Sequence, residues 1–264
     1  MMSHEPLIRL TVFFGVFVLM AAWEWLAPRR ILRASKALRW RSNLLLTALN
    51  SIVVRILFPL AGTGMAIYAE KIGWGLFNYF ELSPVITIAV SVILLDMLIY
   101  WQHVAFHHVP VLWRLHRVHH ADLDIDVTTG ARFHTLEIVA SMLLKFAAIL
   151  LLGAPAIAVL IFEVLLNATA MFNHSNVWLP SGLDRIIRLL IVTPDMHRVH
   201  HSVIPAETNS NYGFNLAIWD RLFGSYRNQP QAGHADMEIG LPEWRDPRIC
   251  VRLTGMLRMP FRKN

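Results

Sequence analysis

The sequence predicts an all-α integral membrane protein with about four transmembrane helices and a histidine-rich cap. Of the 264 residues, 55% are hydrophobic and only 16% are charged, which is more apolar than an ordinary soluble domain. Apolar runs of about 20 residues, the length that crosses a bilayer, recur along the chain. Most of the histidines lie at or just beyond the ends of these runs.

Four apolar tracts account for the predicted transmembrane helices. They cover residues 7–26, 43–69, 84–106 and 136–173, and Arg55 interrupts the second one. The fourth tract contains Gly153-Ala154-Pro155, a pattern that predicts two helices joined by a tight turn. No small-residue cleavage site follows the first tract, so we expect a retained helix there rather than a signal peptide.

The basic residues predict how these helices are oriented. Six of them directly follow the first tract, namely Arg29, Arg30, Arg33, Lys36, Arg39 and Arg41. The positive-inside rule makes this loop cytoplasmic, and counting onward places residues 107–135 and 174–264 on the same side. That side then holds 20 of the 24 Lys and Arg residues. Anionic lipid headgroups are a sufficient partner for this charge, so we expect no nucleic-acid partner.

Eleven of the 13 histidines fall at this predicted cytoplasmic edge, many of them in helical spacings. His103 and His107 are four residues apart, and the pentapeptide HRVHH occurs at 116–120 and again at 197–201. Positions i, i+3 and i+4 share one helix face, with Cβ atoms about 5–6 Å apart, so each triplet brings three imidazoles together. The other two histidines, His4 and His234, are expected to be solvated surface residues.

These spacings point to metal binding. Neutral imidazoles are ligands for iron, zinc or copper, and the single cysteine, Cys250, excludes a thiolate cluster. Ten clustered histidines exceed the need of one metal ion, so the simplest interpretation is a dinuclear site in which each HxxHH triplet serves both ions. Two alternatives are a haem electron carrier, which needs only one or two histidines per haem, and a metal transporter, which should hold its ligands nearer the bilayer midplane.

The pattern resembles the fatty acid hydroxylase/sterol desaturase superfamily, membrane enzymes with a histidine-rich di-iron site. The segments that carry the resemblance are DMLIYWQHVAFH (96–107), LWRLHRVHH (112–120), RFHTLE (132–137), FNHSN (172–176), PDMHRVHH (194–201) and NYGFNLAIWDRLFGSY (211–226). The resemblance implies ten metal ligands: His103, His107, His116, His119, His120, His134, His174, His197, His200 and His201. Thr135 stands where proline is usual, Val104 where arginine is common, and His108 is an extra neighbour without an assigned role.

The resemblance also implies the activity, an O2-dependent hydroxylation of an unactivated C–H bond of a lipid by two iron ions. Desaturation by the same site is the nearest alternative. The sequence lacks a His-Pro-Gly-Gly haem segment, a CxxC cluster and a dinucleotide fingerprint, so the expected electron donor is a separate reductase, ferredoxin or cytochrome b5-like protein. We expect one membrane-embedded domain over residues 1–264 in the cell membrane, with a family-like core at about 84–226 and a polar C-terminal section at about 202–264.

Four carboxylates are candidates to orient the metal ligands by accepting hydrogen bonds from their second ring nitrogens. They are Asp96, Glu137, Glu163 and Asp195. Asp96 shares a predicted helix face with His103 and His107, and Asp195 precedes His197 by two residues. A second set is expected to support the site without binding metal: Asn211, Tyr212, Trp219 and Asp220.

Lys145 and Glu163 form a predicted ion pair. Each is nine residues from Ala154, so at 1.5 Å per residue both lie roughly 13–14 Å from the turn, near the middle of a hydrocarbon layer about 30 Å thick. A lone charge there costs about 2.5–3.5 kcal/mol on insertion scales. In the alternative interpretation, Lys145 snorkels or lines a wet cavity and Glu163 points toward the metal site.

Overall fold

A computed structural model describes residues 4–80 and 82–263, and over these residues the chain is helical, with isolated β-bridges in place of extended strands. The helices, in chain order, are α1 (Glu5–Leu26), α2 (Lys36–Leu57), α3 (Ala61–Lys71), α4 (Leu76–Tyr79), α5 (Pro84–His108), α6 (Pro110–His120), α7 (Thr135–Leu152), α8 (Ala156–His174), α9 (Ser181–Ile187), α10 (Pro194–His200), α11 (Pro205–Thr208), α12 (Ile218–Leu222), α13 (Gly233–Asp236), α14 (Pro247–Cys250) and α15 (Leu253–Arg258). Two short 3₁₀ turns lie at Thr129–Ala131 and Met259–Phe261.

Five segments of the described chain are long and apolar enough to cross a membrane, whereas about four were expected. They are Glu5–Leu26, Lys36–Tyr79, Pro84–His108, Thr135–Leu152 and Ala156–His174. The difference lies in the fourth apolar tract, whose halves α7 and α8 have 18 and 19 residues. Each half is therefore long enough to cross by itself.

The tight turn at residues 153–155 is confirmed. Gly153 ends α7 in the left-handed conformation, with φ 63°, and Pro155 directly precedes α8. The connection after α3 packs closely on this turn, because a Cβ on Gly75 would lie 2.3 Å from the Gly153 backbone nitrogen. Glycine is needed at both positions, one for its positive φ and one for this close approach.

Helix α8 lies at the centre of the bundle, with α1, α3 and α5 packed around it and α2 packed on α7. The apolar core between these helices includes Leu95, Ile99, Ile149, Val159 and Phe162. The C-terminal ends of α5 and α8 therefore meet at the same end of the bundle, and α6 and α10 join them there.

The segments outside the long helices form a cap over that end. The fully buried Arg39 of α2 donates hydrogen bonds to Asp122 Oδ1 at 2.7 Å and Asp126 Oδ2 at 2.5 Å, so it ties α2 to the loop after α6. The C-terminal section covers α6, where Val118 packs against Trp244 and Met256. Both interactions hold the cap rigidly against the histidine-bearing helices.

Candidate metal centre

Nine buried histidines of the described chain form two groups at the junction of the bundle and the cap. The first group contains His103, His107, His116, His120 and His200, and the second contains His119, His174, His197 and His201. Within each group, one ring nitrogen of every histidine lies within 4.8 Å of the others. Two separate clusters of five and four imidazoles are thus in place.

Each HxxHH triplet divides between the two groups in the same way. His116 and His120 belong to the first group while His119 belongs to the second, and His197 and His201 belong to the second while His200 belongs to the first. An α-helix turns about 100° per residue, so positions i and i+4 differ by only about 40° in direction, whereas i+3 points to the other side of i. Local helix geometry therefore sends the middle histidine of each triplet to the neighbouring cluster.

The spacing between ring nitrogens suits metal coordination. Nε2 atoms lie 3.1 Å apart in the His103–His116, His107–His120 and His119–His174 pairs, and 3.0 Å apart in the His174–His197 pair. Two nitrogen ligands about 2.1 Å from one ion and at right angles to each other would be about 3.0 Å apart. The Nε2 atoms are therefore already at the separation of adjacent ligands.

The opposite ring nitrogens are held by oxygen acceptors. Nδ1 of His103 bonds the Tyr212 carbonyl at 2.7 Å, Nδ1 of His200 bonds the Ser210 carbonyl at 2.7 Å, and Nδ1 of His174 bonds the Ala170 carbonyl at 2.7 Å. His116, His107 and His119 bond Glu137 Oε1 at 2.6 Å, Asn209 Oδ1 at 3.2 Å and the Arg132 carbonyl at 3.3 Å. An oxygen acceptor fixes the proton on Nδ1, so in these six rings the Nε2 lone pair is free for a metal.

Five other ring nitrogens of the two groups are not satisfied by hydrogen bonds. These atoms are Nδ1 of His120 and His197, Nε2 of His200 and both ring nitrogens of His201, which are buried and have no hydrogen-bond partner among the described residues. Buried polar atoms are nearly always satisfied, because an unpaired one costs about 1–3 kcal/mol. Metal ions would satisfy the inward-facing nitrogens, so the donor set fits a dinuclear centre.

The cap histidines are neutral in this environment. Burial lowers the pKa of His116 to about 3. Burial, followed by the neighbouring imidazoles, also holds the pKa well below its ordinary value in His119, His120, His197, His200 and His201. Neutral imidazole is the form that binds a metal.

His134 and His234 lie outside the two groups and differ from what the sequence predicted. His108 also lies outside the groups and gains a contact. His134, an expected ligand, precedes α7 as its N-cap: its Nδ1 accepts the Leu136 N–H at 3.2 Å and its Nε2 bonds the Leu257 carbonyl at 3.2 Å, so the ring turns away from both groups. His234, expected at the surface, is 5% exposed, because α13 packs on α10. His108, which had no assigned role, bonds the Tyr212 hydroxyl at 3.1 Å.

Of the four carboxylates expected to orient ligands, only Glu137 contacts a histidine of the two groups. Asp96 instead accepts the Trp219 indole N–H at 2.8 Å, which anchors α5 to the C-terminal section. Asp195 pairs with Arg29 at 3.1 Å and with Arg198. Glu163 pairs with Lys145 at 2.5 Å and Arg9 at 2.6 Å, which confirms the predicted ion pair and adds a third member. Cationic or indole partners, rather than ligand rings, therefore hold these three carboxylates.

Most of the ring supports were not identified from the sequence, because they are main-chain carbonyls, which leave no signal in residue type. Ser210, Ala170 and Arg132 act in this way. The supporting role expected of Tyr212 and Asp220 agrees with the geometry. Asp220 accepts the backbone N–H groups of Tyr212 at 2.7 Å and Gly213 at 2.9 Å, and so fixes the loop whose carbonyl holds His103.

A cavity of about 510 Å³ lies between α1, α2, α5, α7 and α8 and reaches the first histidine group. His103 and His116 form part of its wall, beside apolar side chains such as Phe13, Phe106 and Phe214. A ligand in this cavity would therefore lie among helices of membrane-spanning length and against the candidate metal centre.

Comparison with known proteins assigns the chain to a family. The fatty acid hydroxylase model matches residues 88–225, a range that contains all nine grouped histidines. Curated relatives include an ornithine lipid hydroxylase of Rhizobium tropici, which is 33% identical over 67% of this chain and 51% of that protein. The alkylglycerol monooxygenase of Xenopus tropicalis is 27% identical over 82% of this chain and 46% of its own length, and human lathosterol oxidase is 26% identical over 67% and 56%.

No solved structure matches the chain significantly. The chain spans about half the length of the curated relatives it matches. Because the family model covers more than half of the 264 residues and its range holds both histidine groups, this chain belongs to the fatty acid hydroxylase family.

Proposed function

We propose that the chain is an O2-dependent di-iron oxidoreductase that hydroxylates an unactivated C–H bond of a membrane lipid. The observation that carries this proposal is the pair of buried groups, of five and four histidines, beside a cavity enclosed by membrane-length helices. The relatives support it at a coarser level, since they are a lipid hydroxylase, an alkylglycerol monooxygenase and a sterol oxidase by name.

The residues of the chain would bind, orient and shield the reacting groups. Two iron ions held by the two histidine groups would supply the activation of O2. Glu137 and the carbonyls of Tyr212, Ser210 and Ala170 hold the imidazoles in the orientation that bound iron requires. The apolar cavity wall would keep water away and hold the C–H bond of the lipid against the centre.

Desaturation is the second candidate, because one relative is a Δ7-sterol 5(6)-desaturase of Leptosphaeria maculans, 29% identical over half of this chain. Both reactions begin by removal of a hydrogen from the lipid and use the same histidines. The product distinguishes them, since a hydroxylase adds one oxygen and a desaturase removes two hydrogens.

The electron donor in this proposal is a separate reductase, ferredoxin or cytochrome b5-like protein. It would approach from the cytoplasm, because the arginine-rich segment between α1 and α2 and the cap lie at the same end of the bundle. The proposed location is the cell membrane, with the metal centre on its cytoplasmic side.

The proposal is tested by comparing wild-type protein with the His119→Ala variant. Wild-type protein from an iron-replete host should carry about two iron ions per chain, and the host lipidome should show a species heavier by one oxygen. His119→Ala removes a ligand of the second group, so it should lower the metal content and abolish the lipid change while membrane insertion persists.

The matched control is His4→Ala, a histidine that is exposed and belongs to neither group. It should leave both readouts unchanged. A reproducible metal content of zero or one in wild-type protein, or a normal lipid product from His119→Ala, would rule out the di-iron proposal.

A further inference from the structure

The charged side chains in the wall of the cavity are not all paired. Three cationic side chains, Arg9, Arg55 and Lys145, and two carboxylates, Glu137 and Glu163, line it. An unpaired charge in a bundle of spanning helices indicates a ligand of opposite charge.

Four of the five charged groups already have partners within the protein. Glu163 uses one carboxylate oxygen for Lys145 at 2.5 Å and the other for Arg9 at 2.6 Å, and Arg9 also bonds Glu5 at 2.7 Å. Glu137 bonds His116 at 2.6 Å. Glu5 and Glu163 together balance Arg9 and Lys145, so this network is closed and neutral.

Arg55 is the remaining cation. Within residues 4–80 and 82–263, no hydrogen bond or ion pair joins its side chain to another residue. The Ser51 hydroxyl, one helical turn earlier on α2, lines the same cavity and donates to the Thr47 carbonyl at 2.9 Å. The guanidinium of Arg55 is thus a free donor at the cavity wall.

The depth of Arg55 makes this arrangement costly without a ligand. Phe58, three residues after Arg55 and directly after the end of α2, packs on Phe146 with ring centroids 5.3 Å apart. Phe146 is the twelfth of the 18 residues of α7, and Arg55 lies about one helical turn nearer the start of α2. Arg55 is therefore close to the level of the middle of a spanning helix. An unpaired cation at that depth costs about 2.5–3.5 kcal/mol on insertion scales.

We propose that Arg55 binds the anionic group, a phosphate or a carboxylate, of the lipid substrate. The planar guanidinium fork matches both groups through paired hydrogen bonds. This inference rests on the proposed function and adds the substrate class: an amphiphile with a negatively charged group. Because Arg55, His103 and His116 line one cavity, a single bound lipid can contact both Arg55 and the first histidine group.

Binding of two amphiphiles with the same acyl chain tests the inference without turnover. The probes are 1-oleoyl lysophosphatidate, which is anionic, and 1-monoolein, which is neutral, added to the full chain purified in a non-ionic detergent. Wild-type protein should bind the anionic probe at least about tenfold more tightly, the scale of one partly buried charge pair. Inorganic phosphate, the third probe, should bind more weakly than lysophosphatidate, and tighter binding of phosphate would overturn the lipid assignment.

Three variants decide whether Arg55 causes the preference. Arg55→Gln should remove it, and Arg55→Lys, which keeps the charge, should retain part of it. The control Arg41→Gln changes an exposed arginine on the same helix outside the cavity and should retain it fully. Equal affinity of wild-type protein for both amphiphiles, or an unchanged preference in Arg55→Gln, would overturn the inference.

The two proposals fail in different ways. A wild-type protein with two iron ions and a lipid product but no preference for the anionic probe would refute only the role of Arg55. A preference that depends on Arg55 in a protein without bound metal would refute the di-iron function and leave the anion site standing.

Discussion

At the scale of single residues, the centre depends on which atom each imidazole offers. Six of the nine grouped histidines direct Nδ1 to an oxygen of the protein, and five of those six acceptors are main-chain carbonyls or an amide. Glu137 is the single carboxylate among these acceptors. It therefore increases the basicity of His116 more than a carbonyl would.

Replacing Glu137 tests this support. Glu137→Ala should weaken binding of one metal ion by about 10–100-fold, the usual effect of losing such a contact, because His116 loses its orientation. Glu137→Gln, whose amide oxygen can still accept the hydrogen bond, should recover part of the affinity. The measurement is metal titration against a chelator, with Glu243→Ala, an exposed glutamate of the cap, as the control. Equal affinity in Glu137→Ala and wild type would contradict the role.

At the scale of helices, the Gly153 turn sets the register between α7 and α8. It places Lys145 and Glu163 at the same depth, where their side chains meet at 2.5 Å. Arg9 of α1 reaches the other oxygen of Glu163 at 2.6 Å, so one carboxylate links three helices. A close approach also holds α3 here, since a Cβ on Gly62 would lie 2.8 Å from Glu163 Oε1.

A double-mutant cycle measures the energy of this link. Glu163→Gln should lower the melting temperature in detergent most, because it leaves Lys145 without a carboxylate partner and Arg9 with Glu5 alone. Removing one partner of a buried pair costs up to about 3–5 kcal/mol. Lys145→Met should cost less, since Glu163 keeps Arg9. The double variant should lose less stability than the sum of the single losses, by a coupling of about 0.5–3 kcal/mol.

The control for the cycle is Lys71→Met, which removes an exposed lysine at the end of α3. It should leave the melting temperature nearly unchanged and should combine additively with Glu163→Gln. Additive losses for Lys145→Met and Glu163→Gln as well would show that their contact contributes no coupling.

At the scale of the whole molecule, the cap and the arginine-rich segment before α2 lie at one end of the bundle. Arg39, in the first turn of α2 just after that segment, bonds Asp122 at 2.7 Å, two residues after the first histidine triplet. The positive-inside rule predicts that this segment is cytoplasmic, and it therefore predicts the same side for the metal centre. We therefore expect the centre and its electron donor to meet on the cytoplasmic side.

Cysteine labelling tests this orientation. Gln231→Cys, an exposed cap position, should react with a membrane-impermeant maleimide only after the cells are opened, whereas Glu70→Cys near the end of α3 should react in intact cells. Cys250 is buried, so unmodified protein provides the background. Labelling of Gln231→Cys in intact cells would place the metal centre on the opposite side.

The sequence by itself determined those features that depend on local periodicity. The apolar tracts, the Gly153 turn, the clustering of the HxxHH triplets and the Lys145–Glu163 pair all follow from 3.6 residues per turn and 1.5 Å of rise. The tertiary structure alone decided the rest. It placed the His134 ring against the Leu257 carbonyl, buried His234 where α13 packs on α10, and paired Asp96 with Trp219. It also left Arg55 in the cavity wall without a partner among the described residues. These outcomes depend on which distant segment packs against a side chain, and the spacing of residues along one helix contains no information about that neighbour.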